Sequence, residues 1–103
     1  MRESMTVDQI IDRISVIRLR ADLSARTLSL MINKNPAYIT QLESKKGFEP
    51  SLSAILDICE VCNVSLEEFF YHDLEAYKTD KSVIEFLKTL SDKQKNAIMN
   101  LYK

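Results

Sequence analysis

Cys59 and Cys62 stand in a CxxC spacing, and His72 is the single histidine of the chain. A CxxC pair can hold a metal or cycle between thiol and disulfide. A structural zinc site usually needs four ligands, and the chain has two cysteines in all. Both also fall on an apolar stripe with Leu52, Ile55, Leu56 and Ile58, which reads as buried structural thiols. A small zinc-dependent redox switch is the weaker alternative. His72 lies near the end of a short helix, where it can serve as a charge. The sequence offers no nucleophile-base constellation, no Gly-rich phosphate loop and no paired-carboxylate site. A non-enzymatic protein is expected, with no cofactor, no metal and no small-molecule ligand.

A second kind of chemistry is better supported. Ala37, Thr40, Gln41 and Ser44 follow i, i+3, i+4, i+7 and share one helix face. None is charged and none is a large apolar residue, so a partner surface can approach closely. Gln can bond an adenine edge at two points, and Thr and Ala can contact a thymine methyl. The alternative is the ordinary solvated face of a small helical domain.

Charge sharpens the choice of partner. The chain has 103 residues with 14 Lys and Arg against 15 Asp and Glu, a formal charge of -1. That balance excludes a strongly basic tail but not a local cationic face. Residues 1 to 50 carry Arg2, Arg13, Arg18, Arg20, Arg26, Lys34, Lys45 and Lys46. Between Lys46 and Lys78 there is no cation, while Asp57, Glu60, Glu67, Glu68, Asp73 and Glu75 fall there. A polyanion would therefore prefer the first half. No apolar run approaches the ~18 to 20 residues of a membrane span. The N-terminus lacks the apolar core of a signal peptide. A cytoplasmic protein with reduced cysteines is expected.

The elements that must position these residues are helices. One Gly and two Pro among 103 residues are too few for the turns of an all-β fold. Thr6 with Gln9 fits a capping box, opening a helix over about 7–20. Ser24 caps a short second helix whose stripe is Leu28, Met31 and Ile32. Asn33 suits the left-handed residue that ends it. Asn35 and Pro36 suit the cap and first position of a third helix, from Pro36 to Ser44 or Lys45, with Ile39 and Leu42 inward. Ser51 caps a fourth helix. Ser65 with Glu68 forms the best capping box and opens a fifth helix over 66–72. The segment YHDLEAYKTDKS has no clear period and reads as a connection. Val83, Ile84, Phe86, Leu87 and Leu90 form a sixth stripe. Ser91 with Gln94 caps a seventh helix carrying Ala97, Ile98, Leu101 and Tyr102.

Two short helices joined by a tight turn are a helix-turn-helix, and here the residues suffice to suggest a family. Residues 8 to 70 resemble the lambda-repressor-like helix-turn-helix domain, the Cro and phage-repressor (XRE) group. The matching run is IRLRADLSARTLSLMINKNPAYITQLESKKGFEPSLSAILDICEVCNVSLEEFF. Its features are Arg18 five residues before Leu23-Ser24, Leu28, Ile39 and Glu43, Pro50-Ser51, and Val64-Ser65 before Phe69-Phe70. The resemblance implies an all-α fold: a five-helix bundle over residues 6–73. Residues 74–81 would be a connection and 82–103 a short C-terminal helical extension. It implies a sequence-specific double-stranded DNA-binding transcriptional regulator, a repressor. Asn35, Pro36, Ala37, Thr40 and Gln41 would meet base edges. Ser24, Arg26, Lys34, Tyr38, Ser44, Lys45 and Lys46 would meet the DNA backbone. Arg18 and Glu43 would form a structural ion pair.

This sequence departs from the family pattern at three places. Ala25 stands where many members have Gln, so a phosphate contact and a brace for the recognition helix are expected to be missing. Asn33 stands where many have Gly, and Gly47 comes later than usual. Pro36 and Ala37 offer no side-chain hydrogen bonds, so direct readout rests on Gln41, Thr40 and Asn35, supplemented by DNA shape. The tail holds more apolar residues than a free helix would keep. It either folds back on the bundle or forms a homodimer through Val83, Phe86, Leu87, Leu90, Ile98 and Leu101, and dimerisation is favoured. The competing reading is a protein-interaction module on the same scaffold: an antitoxin, an anti-repressor or a phage-encoded inhibitor.

Overall fold

A computed structural model describes residues 5–101. Arg2 and Tyr102 lie outside the described residues, as do the others of the first four residues of the N-terminal stretch. The elements are α1 (Val7–Arg20), α2 (Ala25–Met31), α3 (Tyr38–Glu43), α4 (Leu52–Val61), α5 (Leu66–Phe69), a 3-10 turn (Leu74–Ala76), α6 (Tyr77–Lys88) and α7 (Asp92–Asn100). No strand occurs among the described residues. No helix among them is long and apolar enough to cross a membrane. The chain divides after Phe70 into two compact units.

The first unit contains the core. It comprises Ile11, Ile14 and Ile17 of α1, Leu28 and Ile32, Ile39 and Leu42, Ala54, Ile55, Ile58 and Cys59, and Phe69, all buried. α3 packs on α1 and α2, while α4 packs on α2 and α5. Each fully buried Ile, Leu or Phe contributes roughly 1.5–3 kcal/mol, against about 1 kcal/mol for a helix cap. The core therefore holds the helices together, and the caps fix where each begins. Thr6, Ser24, Ser51 and Ser65 each accept the backbone N–H three residues on, from Gln9, Thr27, Ala54 and Glu68.

The helix ends explain how a chain with one glycine turns so often. Asp22, Asn33, Lys45 and Asn63 have φ of 58°, 61°, 55° and 57° and directly follow the C-cap residues of α1 to α4, Ala21, Ile32, Ser44 and Cys62. After α1, α2 and α4 the next N–H reaches back to close a Schellman motif: Leu23 to Arg18 at 3.2 Å, Lys34 to Ser29 at 2.9 Å and Val64 to Cys59 at 2.9 Å. Asn33 thus does the work for which a glycine is the common choice.

Four expectations shift. α3 begins at Tyr38 rather than Pro36. Asn35 does accept the Ala37 N–H at 2.9 Å, but Ala37 has ψ of 1°, off the helical value, so Pro36 and Ala37 form a turn leading into the helix. α5 ends at Phe69 rather than residue 72. The Ser65–Glu68 box closes on one side only: Ser65 caps Glu68, while the Glu68 carboxylate lies 4.0 Å from Arg20. The stretch 74–81, read as a connection, is helical. The Asp73 carboxylate accepts the N–H groups of Glu75 and Ala76 at 3.1 and 3.4 Å, starting a 3-10 turn that runs into α6. Its polar side chains hid the period, because Tyr77 is the one buried residue of α6.

In the second unit, Tyr71 donates to Asp80 at 2.6 Å and its ring meets the Tyr77 ring edge-on at 5.2 Å. The Ser91–Gln94 box is complete. α7 has no buried residue, and Val83, Ile84, Phe86, Met99 and Leu101 are exposed.

Candidate nucleic-acid interface

α2, its turn and α3 present the surface singled out in the sequence. Ile39 and Leu42 are buried, while Asn35, Pro36, Ala37, Thr40, Gln41 and Ser44 are exposed. The helical period thus puts Thr40 and Gln41 on the side away from the core. Tyr38 is half-buried, and the Lys34 ammonium sits 5.3 Å from its ring centre. Burial pushes the Tyr38 phenol above its ordinary value, so at neutral pH it remains an O–H donor. Ser44 turns its hydroxyl back onto the Gln41 carbonyl at 2.6 Å, a local bond that competes with an external acceptor.

The cations are not equivalent. Arg26, Lys34 and Lys46 are exposed. Lys45 is drawn away to α1, where its ammonium lies 2.6 Å from Asp12. The hydrogen bond to Asp12 raises its pKa. The bond occupies one of the three N–H donors of Lys45. Ser24 is committed too, accepting the Thr27 N–H at 3.0 Å and donating to the Thr27 hydroxyl at 2.8 Å.

Between Ser24 and Lys46 the one acidic residue is Glu43, and its charge is matched internally. Arg18 Nε lies 3.0 Å from Glu43 Oε2 and Nη2 lies 3.2 Å from Oε1, a two-point contact. Ser15 donates to the same carboxylate at 2.8 Å, and Arg18 Nη1 donates to the Leu23 carbonyl at 2.9 Å. The clamp ties α1 to both the start of α2 and the end of α3. It leaves the helix-turn-helix segment with a cationic surplus inside a chain of net charge -1.

Sequence reasoning missed Ser29. It is fully buried on α2 and bonds both Ala25 and Ile39. The brace expected to be missing with Ala25 is therefore supplied from four residues further along. The available signal was a polar residue on the stripe of Leu28 and Ile32. Arg13 was missed as well; its guanidinium reaches the Phe69 carbonyl at 2.7 Å and fastens α5 to α1.

The CxxC pair sits apart from this surface. Cys59 is buried and Cys62 half-buried. Desolvation pushes the Cys59 thiol up to about 11, opposite to what a reactive or metal-binding thiolate needs. No group of three or more His, Cys, Asp or Glu among the described residues is placed to hold a metal ion.

The helix-turn-helix family model matches residues 14–69, more than half of the chain. The chain belongs to that family, the lambda-repressor-like (XRE) helix-turn-helix proteins. They are DNA-binding regulators rather than enzymes. No curated protein and no solved structure significantly matches the chain.

Proposed function

We propose that the protein is a cytoplasmic, sequence-specific repressor that reads the major groove of double-stranded DNA with α3. Asn35, Pro36, Ala37, Thr40 and Gln41 face base edges. Arg26, Lys34, Tyr38, Lys45 and Lys46 meet the backbone, and Ser24 and Ser44 join them once their hydroxyls leave Thr27 and the Gln41 carbonyl. The observation that carries this reading is the exposure of Thr40 and Gln41 on a helix anchored by Ile39 and Leu42. Two copies bind through the tail, where Val83, Phe86, Leu87 and Leu90 recur at i, i+3, i+4, i+7, together with Ile98 and Leu101. Half-sites then lie about one helical turn (~34 Å) apart.

Selection from randomised duplexes tests the reading and yields a palindromic consensus. Gln41→Ala then costs about 1–3 kcal/mol at the cognate site and relaxes preference at one position. An unchanged ratio of cognate to scrambled binding removes Gln41 from the readout. Sedimentation of the parent and of Phe86→Glu tests the dimer, and a monomeric parent rejects it. A promoter carrying the consensus loses expression when the protein is made.

A second reading is favoured by exposed Asp57, Glu60 and Glu67 on α4 and α5. It is a protein-interaction module with a basic partner. It predicts no duplex binding at low salt and a stoichiometric protein complex.

A further inference from the structure

Ser29 is a polar side chain buried in the core, with no exposed surface. α2 itself gives no reason for a hydroxyl there. Alanine is the better helix former, and a serine that bonds back to the carbonyl four residues earlier is slightly destabilising. The reason lies in α3. Helices α1, α2, α4 and α5 are each capped by their own Thr or Ser, but the residue before α3 is Ala37, which makes no side-chain cap bond. Ile39, second in α3, has an N–H that its own helix cannot satisfy.

That N–H donates to Ser29 Oγ at 3.0 Å in a buried contact, and the Ser29 hydroxyl donates onward to the Ala25 carbonyl at 2.7 Å. The Ser29 carbonyl also accepts the Lys34 N–H at 2.9 Å. Both ends of the segment 34–39 therefore terminate on one residue, and that segment carries Asn35, Pro36 and Ala37. Ser29 stands on α2 between Leu28 and Ile32, in a helix whose C-terminus is closed by its own Schellman motif.

We propose that Ser29 is a positioning residue for DNA recognition: from α2 it supplies the missing cap of α3 and so fixes the rotation at which Thr40 and Gln41 face a groove. The inference rests on the DNA-reading function proposed above. It separates two properties, since loss of the cap lets α3 shift while the cationic surface remains. Discrimination between sequences falls, and binding driven by phosphates stays.

The test compares the full chain with Ser29→Ala and Ser29→Thr. Amide exchange is followed by NMR, and affinities are measured for cognate and scrambled duplexes. In Ser29→Ala the Ile39 amide exchanges at least about tenfold faster while those of Ile17 and Ile58 keep their rates. The ratio of scrambled to cognate Kd falls about tenfold, with scrambled binding unchanged. Ser29→Thr keeps the hydroxyl and recovers most of the ratio. Unchanged Ile39 exchange in Ser29→Ala overturns the proposal, as does faster exchange with an unchanged ratio. If the parent binds no duplex, the DNA reading fails by that result. The capping role is then decided by Ile39 exchange alone.

Discussion

Replacing Arg18 by Met opens the clamp between α1 and α3 at one jaw. The Arg18 and Glu43 side chains are 14% and 22% exposed, so the pair is largely withdrawn from water. Removing one partner of a buried pair typically costs about 3–5 kcal/mol, because the remaining charge is stranded. Glu43 keeps the Ser15 hydroxyl and some water, which favours the lower end, about 3 kcal/mol. The Leu23 carbonyl also loses its donor, about 1 kcal/mol of that total. At about 4–8 °C per kcal/mol for a domain of this size, Tm should fall by roughly 10–25 °C. The double variant Arg18→Met with Glu43→Leu removes the stranded charge and leaves the bare carbonyl. It should sit within about 1 kcal/mol of the parent. Urea titration followed by helical circular dichroism measures both variants, and the double variant should recover about 2 kcal/mol of the single variant's loss. If the single variant loses under about 0.5 kcal/mol, the pair is an ordinary surface contact. If the double variant is no better than the single, the loss comes from packing and the electrostatic account fails.

Three further outcomes concern the left-handed turn and the buried thiol. Asn33 sits at φ of 61°, so Asn33→Ala should cost about 1 kcal/mol and Asn33→Gly should stay within about 0.5 kcal/mol of the parent. Equal urea midpoints for Ala and Asn would show that the turn is not held in the left-handed conformation. The Cys59 thiol, raised from 9.0 to about 11 by burial, keeps its proton more tightly in the folded state than in the unfolded state. Its contribution is complete below about pH 9 and declines as pH rises to about 11, by on the order of 2–3 kcal/mol. The stability gap between the parent and Cys59→Ala should narrow over that window. At pH 8 a thiol reagent should modify Cys59 only through unfolding, and labelling at the rate of a free thiol would contradict the burial.

What could be read from the sequence was local. A cap needs one hydroxyl and the N–H three residues on, so Thr6, Ser24, Ser51, Ser65 and Ser91 announced their helices. The inward spacing of Ile39 and Leu42 likewise fixed which face of α3 turns outward. What could not be read depends on residues distant in the chain. The Glu68 carboxylate lies near Arg20 of α1 rather than closing its capping box. Lys45 is paired because α1 brings Asp12 beside it. Ser29 looked like a break in an apolar stripe, since its partner Ile39 lies ten residues away, beyond the turn. The start of α6 was missed for a different reason. A helix with a single buried residue shows little periodicity, and the carboxylate of Asp73 does what apolar spacing does elsewhere.

The left-handed corners carry a thermal consequence. Glycine surrenders more backbone freedom on folding than any other residue, and here Asp22, Asn33, Lys45 and Asn63 occupy four positions that glycine would suit. Their side chains restrict the denatured chain, so each corner forfeits less disorder when the bundle assembles. The domain accepts mild local strain at its bends and begins its collapse from a smaller set of shapes.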